Sequence, residues 1–266
     1  MKTITLLLIL LLNSISFAQV GIGTTTPESS AALDVKSTNK GFLPPRMTEA
    51  DRNAITAPAA GLIIWCTNCG SDGEVQVFNG TSWTNMIGDV AAEAPPQVGD
   101  FRDGGVVFYV APTPTDLNGN GNLDTGLVCA IEDQSSGIQW NNGSFTTTGA
   151  TATAIGTGAA NTTTIIQEQG ATQTNYAAGL ANDYNGGGFT DWFLPSKDEL
   201  NEIFQNKSII NTTATSNGGT NFFTSPYYWS STEFDQYLAW MQYFSFGFQN
   251  DGGKDEPGRV RAVRAF

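Results

Sequence analysis

The sequence contains no histidine. That absence excludes a Ser-His or Cys-His nucleophile pair, a His-ligated zinc and a His general base. Basic residues are scarce as well: 12 Lys and Arg stand against 25 Asp and Glu in 266 residues, a formal charge of -13. Such a chain repels nucleic acid phosphates, so no nucleic acid partner is expected. Cysteine is limited to Cys66, Cys69 and Cys129. The one long apolar run, Leu6 to Leu12, is far shorter than the roughly 20 residues a spanning helix needs.

That run has an address-like context. Lys2 precedes it, and Ser16-Phe17-Ala18 puts small residues at the positions a signal peptidase reads, so residues 1–18 are expected to be a signal peptide. The mature chain is then secreted or held at the cell surface, without a membrane span. In an oxidising compartment the pair in "WCTNCG" reads as a Cys66–Cys69 disulfide, with Cys129 left over. Redox and metal roles for this pair fit less well, because "GLIIW" before it reads as a strand and "GSDGE" after it as a turn.

Residues 88–97 lose all periodicity and carry Pro95-Pro96, the pattern of a linker between a module at 19–87 and a domain at 98–266. In the first, "GLIIWCTNCGSDGEVQVFNGTSWTNM" alternates apolar runs with turn residues, as a small β-meander does. Its upstream part is too poor in large apolar residues to bury a core alone and needs a partner chain. In the second, the apolar run Val106–Val110 and "GLVCAIED" form a hairpin around an inserted loop. The Thr/Ala/Gly-rich tract after it reads as loop in its middle; Tyr176, Leu180 and Tyr184 then take helical spacing. "SKDELNEIFQNK" is the clearest helix: Ser196 and Glu199 make a capping box, and Leu200, Ile203 and Phe204 line one face. Two helices between an opening hairpin and closing strands predict an α+β domain.

Two resemblances attach to these stretches. "GIGTTTP", "AALDV", "KGFLPPRMT" and "NGTSWTNM" resemble the N-terminal module of secreted bacterial surface proteins, similar to phage tail-fibre modules, which implies a stalk assembling as a homo-oligomer, a trimer. "GGVVFYV", "IGTGAANT", "DWFLPSKDELNEIF", "YWSSTE", "AWMQYF" and "VRAVRAF" resemble the C-terminal domain of the collagen-like adhesin family, itself similar to the formylglycine-generating-enzyme and C-type-lectin-like folds. The second resemblance implies a C-type-lectin-like α+β fold and adhesion to host or matrix glycans.

Within that frame Trp229, Trp240 and Phe244 read as core, and Glu233, Tyr237, Tyr243, Phe246 and Phe248 as residues left for a sugar face. The basic residues Lys254, Arg259, Arg261 and Arg264 suit a sulfated glycan or a carboxylate, although Asp251, Asp255 and Glu256 stand ready to neutralise them. Arg261 and Arg264 face opposite ways along a strand, so at least one of them is expected to form a structural pair with an interior carboxylate such as Glu233. Ligand contacts are thus assigned to Glu233, Tyr237, Tyr243, Arg261 and Arg264.

"DLNGNGNLD" spaces Asp116, Asn118, Asn120 and Asp124 like the first nine positions of a calcium loop, with Leu127 where a bidentate Glu belongs. It reads either as a weak calcium site or as a polar hairpin loop that needs no ion. Enzymatic readings are thin. The oxidase chemistry of the fold relatives needs paired cysteines that this domain lacks, and nothing places two of Asp191, Asp198, Glu199, Glu202 and Glu233 across a cleft as a glycosidase requires. The expectation is a non-catalytic, adhesin-like surface protein binding glycan or matrix; a structural fibre component without a small ligand, and behind it a carboxylate-dependent hydrolase, are the alternatives.

Overall fold

A computed structural model describes residues 19–86, 94–170, 173–222 and 227–266. The expected signal peptide and most of the expected linker lie outside the described residues. The chain divides into two compact units between Pro95 and Pro96.

The first unit is β-rich. Strands β1 (Val20–Ile22) and β2 (Leu33–Val35) pair in parallel, and a second sheet runs in the order β3 (Arg46–Met47), β4 (Ile63–Cys66), β5 (Glu74–Phe78), β6 (Trp83–Asn85). The meander β4–β5–β6 is antiparallel, as the turn residues between the apolar runs dictate. A short helix, α1 (Glu49–Asn53), starts at a capping box made by Thr48 and Asp51. Among the described residues, the buried apolar cluster of this unit is Ile64, Cys66 and Cys69, with Met47 and Trp83 against it.

The second unit is α+β. Strands β7 (Phe101–Arg102), β8 (Gly105–Thr115) and β9 (Asp124–Ala130) form the opening antiparallel sheet, and the last strand, β15 (Val263–Ala265), closes it against β9. A five-stranded sheet takes the order β10 (Ser135–Ile138), β14 (Gly258–Val260), β11 (Tyr227–Glu233), β12 (Leu238–Tyr243), β13 (Gln249–Gly253). The "RVRAVRAF" run therefore splits between two sheets, breaking at Arg261-Ala262.

Both sheets are buried on both faces at their centres. On β8, Val107 enters one apolar cluster while Val106 and Phe108 enter another; on β11, Trp229 and Tyr228 divide the same way. Side chains of opposite parity point to opposite faces, which is why β8 reads as a continuous apolar run over Val106–Val110 rather than an alternation. Gly258 is required by this packing, since a Cβ there would lie 2.5 Å from the indole nitrogen of Trp229.

Four α-helices of the second unit lie among the described residues: α2 (Gly158–Gln169), α3 (Ala177–Asn182), α4 (Lys197–Gln205) and α5 (Lys207–Ser216). α4 carries the capping box of Ser196 and Glu199. The Thr/Ala/Gly-rich tract is loop through its middle, as expected, and its second half becomes α2, a helix the sequence reading did not name. The helix faces the core with Asn161, Thr162, Ile165 and Gln169, a stripe whose polarity hides it from a hydrophobic periodicity. Asn161 donates to the carbonyl of Ala152 at 2.7 Å, and the Thr162 hydroxyl accepts from the Leu194 amide at 3.0 Å. Partners supplied from other segments make that polar face buriable.

Candidate functional site

The residues assigned to a ligand divide sharply. Glu233, at the end of β11, is a core residue: 2% of it is exposed, and Nζ of Lys254 lies 2.5 Å from its Oε1. Its carboxylate also accepts the backbone amides of Thr148, at 2.8 Å, and Gly149, at 2.8 Å. Lys254 in turn donates to the Thr146 carbonyl and sits 4.6 Å from the Trp140 ring. This pair clamps the 146–149 segment onto the sheet, so Glu233 is not part of a ligand surface.

The arginines are likewise committed. Asp133 receives Arg261 Nε at 2.7 Å, Arg259 Nη1 at 3.0 Å and the Tyr228 hydroxyl at 2.9 Å. Arg261 also lies 3.8 Å over the Phe222 ring. Arg264 makes a bidentate pair with Asp191, at 2.7 and 3.0 Å, beneath the Phe189 ring. Both Arg261 and Arg264 are therefore structural, and their partners are Asp133 and Asp191 rather than Glu233. All four basic residues of the C-terminal stretch face carboxylates, which leaves no arginine cluster for a sulfate.

The aromatic residues follow expectation in part. Trp229 and Phe244 are fully buried. Trp240 is half-buried on β12, with Lys197 Nζ 3.3 Å above its ring and Phe234 at its edge. Tyr243 packs edge-on against Tyr227 at the margin of the core. Tyr237 is 56% exposed beside Phe145, with ring centroids 5.5 Å apart. Phe246 and Phe248 are the most exposed rings among the described residues, at 76% and 69%, on the turn between β12 and β13. That turn is held firmly: the Gly247 amide bonds the Tyr243 carbonyl at 2.8 Å, and Gln242 Nε2 bonds the Gly247 carbonyl at 2.9 Å.

In the 116–124 loop, Asp116 turns its carboxylate inward to the amides of Gly119, at 2.7 Å, and Gly121, at 3.0 Å. These backbone donors, Gly121 foremost, hold its pKa below the ordinary carboxylate value. Asn118 Oδ1 accepts from Asn120 N, Asn120 Oδ1 from Asn122 N, and Asp124 Oδ2 from Leu117 N. Burial raises the Asp124 pKa despite that bond. The loop closes on its own Asx turns, and no group of three or more acidic or cysteine side chains among the described residues is arranged for a metal.

Cys66 and Cys69 are joined in a buried disulfide, and Cys129 is a free thiol inside β9, where burial pushes its pKa up to about 12. A thiol held neutral in this way is inert. Of the carboxylates considered for hydrolysis, Glu199 and Glu233 are enclosed and Asp191 is held by Arg264.

Two clefts open beside α3. One, of about 360 Å³, is lined by Glu132, Asp133, Gln134, Leu180, Asp183, Tyr184 and Asn185. The other, of about 180 Å³, lies between the 116–124 loop, α2 and the segment around Trp192. Sequence reasoning named neither; the "DW" at 191–192 inside the family-like motif was the available signal. Among the described residues no helix is long and apolar enough to cross a membrane.

Comparison with known proteins agrees with this two-part organisation. Residues 21–99 match the phage-tail-like trimerisation region, and residues 129–264, just over half of the chain, match the Lcl C-terminal domain. The second match begins inside β9, so β7 and β8 complete the unit from upstream. No curated protein matches the chain. Among solved structures it is similar to a fimbrial protein from Bacteroides ovatus ATCC 8483, at 16% identity and a TM-score of 0.47, over 79% of this chain and 49% of that one. The chain thus spans about half the length of that protein. By the match across its second unit, the chain belongs to the family of proteins carrying the Lcl C-terminal domain, here behind a phage-tail-like trimerisation region.

Proposed function

We propose that this is a secreted, non-catalytic surface adhesin: copies assemble as a trimer through the first unit and present the second, a C-type-lectin-like domain, to glycans of a host or matrix. The observation that carries the reading is the order of parts in one chain, a trimerisation region followed by an Lcl C-terminal domain. Weak single-site binding becomes useful when three copies are displayed together, because the second and third contacts are effectively intramolecular. The signal-peptide pattern at residues 1–18 supports export. The C-type-lectin-like reading of the fold is supported by the sequence resemblance and by β15 returning to pair with β9, which closes the unit on its opening hairpin.

Firmly held exposed rings and polar clefts suit sugar, whose C–H faces stack on aromatics while hydroxyls need amides and carboxylates. The engaged arginines favour uncharged over sulfated glycans. A calcium ion would use Asp116, Asn118, Asn120 and Asp124 of the 116–124 loop, and with two carboxylates among them it would bind weakly.

A glycan array probed with the full-length protein, in calcium and again in chelator, tests the proposal. Reproducible binding supports the adhesin reading, and its loss in chelator would bring calcium into the site. Assembly without any glycan bound would favour a structural fibre component.

A further inference from the structure

The smaller cleft carries more information than its size suggests, because several of its wall residues are held in place and still offer hydrogen-bonding capacity to a ligand. Asn118 and Asn120 reach it from the 116–124 loop, Ala159, Thr162 and Thr163 from α2, Asn182 from the end of α3, and Asp191, Trp192 and Phe193 from the segment before α4. Trp192 and Phe193 are buried and form an apolar base.

Four of the polar wall residues, Asn118, Asn120, Thr163 and Asp191, are held in place by hydrogen bonds and keep further capacity. Asn118 and Asn120 use Oδ1 to accept from the loop backbone at 3.0 and 2.7 Å. Their Nδ2 groups have no protein partner among the described residues, so two amide donors face solvent from a loop that is already ordered. Asp191 is oriented by the bidentate grip of Arg264, yet 47% of its side chain remains exposed. Each carboxylate oxygen has lone pairs beyond the one Arg264 uses, so Asp191 is a fixed acceptor. Thr163 donates to the Ala159 carbonyl at 3.0 Å and keeps its acceptor capacity.

From this arrangement we infer that the cleft between Asn118, Asn120, Thr163, Asn182 and Asp191 is a subsite for the hydroxyl groups of an uncharged sugar residue. A hydroxyl both donates and accepts, and here paired amide donors stand across from a carboxylate over aromatic residues. A sulfate or carboxylate on the ligand would meet Asp191 as a like charge, and the Arg264 guanidinium that would attract it is already paired. The calcium-like spacing of the loop then has a different physical use: alternate Asn side chains are locked by Asx turns and present amides rather than metal-ligating oxygens.

The inference rests on the glycan-binding reading above and deepens it. Its test uses the full-length protein, the double variant N118A/N120A on the exposed loop, and T163W, which fills the cleft from an exposed helix position. All are applied to an array of neutral and sulfated oligosaccharides, with thermal unfolding measured alongside. We expect the wild type to bind neutral glycans, and both variants to lose at least tenfold in affinity while unfolding at the wild-type temperature. Neutral-glycan binding that both variants retain overturns the subsite while leaving the adhesin reading standing. Binding confined to sulfated glycans also overturns it and also leaves that reading standing. If the wild type binds no glycan, both fall together. T163W answers separately from the double variant, so an unfolded loop mutant cannot mimic the expected result.

Discussion

The Lys254 ammonium lies 2.5 Å from the Glu233 carboxylate, and both side chains are withdrawn almost entirely from water. Taking two charges out of solvent is costly, and their attraction repays that cost only when the remaining hydrogen-bonding capacity is also met. Here the amides of Thr148 and Gly149 complete Glu233, while the Thr146 carbonyl and the Trp140 ring complete Lys254. The 140–149 stretch is thereby tied to Glu233 and Lys254, 85 and 108 positions away along the chain.

Removing one partner should therefore be severe. Glu233→Ala leaves a buried uncompensated ammonium and is expected to cost the second unit about 3 to 5 kcal/mol, measured by urea unfolding of the full chain. Glu233→Gln keeps an oxygen for the two amides and should lose less, and combining it with Lys254→Met should recover much of the deficit. A loss of about 1 kcal/mol or less, typical of an exposed pair, would show that the clamp is not what holds the 146–149 segment.

Glu199 gives a pH dependence of defined sign. Its carboxylate accepts the amides of Ser196, at 2.7 Å, and Gly156, at 2.8 Å, but complete burial outweighs these bonds and raises the pKa from 4.5 to about 7. Between those values the folded chain holds a proton that the unfolded chain has released. The contribution of Glu199 to stability is thus fully present below about pH 4.5, declines as pH rises, and is gone above about pH 7. Urea midpoints measured from pH 4 to 8 should fall more steeply for the wild type than for Glu199→Gln, and parallel curves would refute the assignment.

How much of this was legible in the sequence depended on whether partners were local. The capping box of Ser196 and Glu199 spans three residues, and the hairpin around the 116–124 loop is written in its apolar runs and Asn-Gly turns; both are found where the residues place them. Helix α2 was hidden because its buried stripe is Asn, Thr, Ile and Gln, acceptable inside only through partners such as Leu194, 32 residues away from Thr162. The ion pairs were hidden for the same reason: Asp133 lies 128 positions from Arg261, and strand parity says which way an arginine points but not which acid waits there. The small cleft is a product of three such long-range approaches, so its residues carry no pattern of their own.

In the first unit the disulfide should matter more than its span suggests. A four-residue loop restricts the unfolded chain by only about 2 kcal/mol on the chain-entropy account. Yet Cys66 and Cys69 make up most of the buried cluster, and the buried Arg52 beside them bonds Gln76 Oε1 at 2.6 Å and Glu49 at 3.0 Å. Replacing both cysteines by alanine is expected to speed hydrogen exchange of the β4 and β5 amides by roughly thirtyfold or more, the equivalent of those 2 kcal/mol. Unchanged protection would mean that the Arg52 network, not the disulfide, sets the stability of this sheet.

The same unit explains why a single copy is incomplete. Strands β1 and β2 have three residues each and among the described residues pair only with one another, and Val20, Ile22, Leu33 and Val35 are all more than two-fifths exposed. Parallel sheets are ordinarily covered on both faces, and two short strands do not stand alone in water. Phe42 and Leu43, more exposed still, extend the apolar surface. Residues 21–99 match a trimerisation region, and under the proposed assembly further copies of the chain would cover this surface. A charge on this surface would have to be buried unpaired at the contact. Ile22→Asp with Leu33→Asp should therefore turn the assembly into monomers in sedimentation or light scattering, while the circular dichroism of the second unit, which has its own core, stays unchanged. An intact oligomer carrying both substitutions would place the assembly surface elsewhere in the unit.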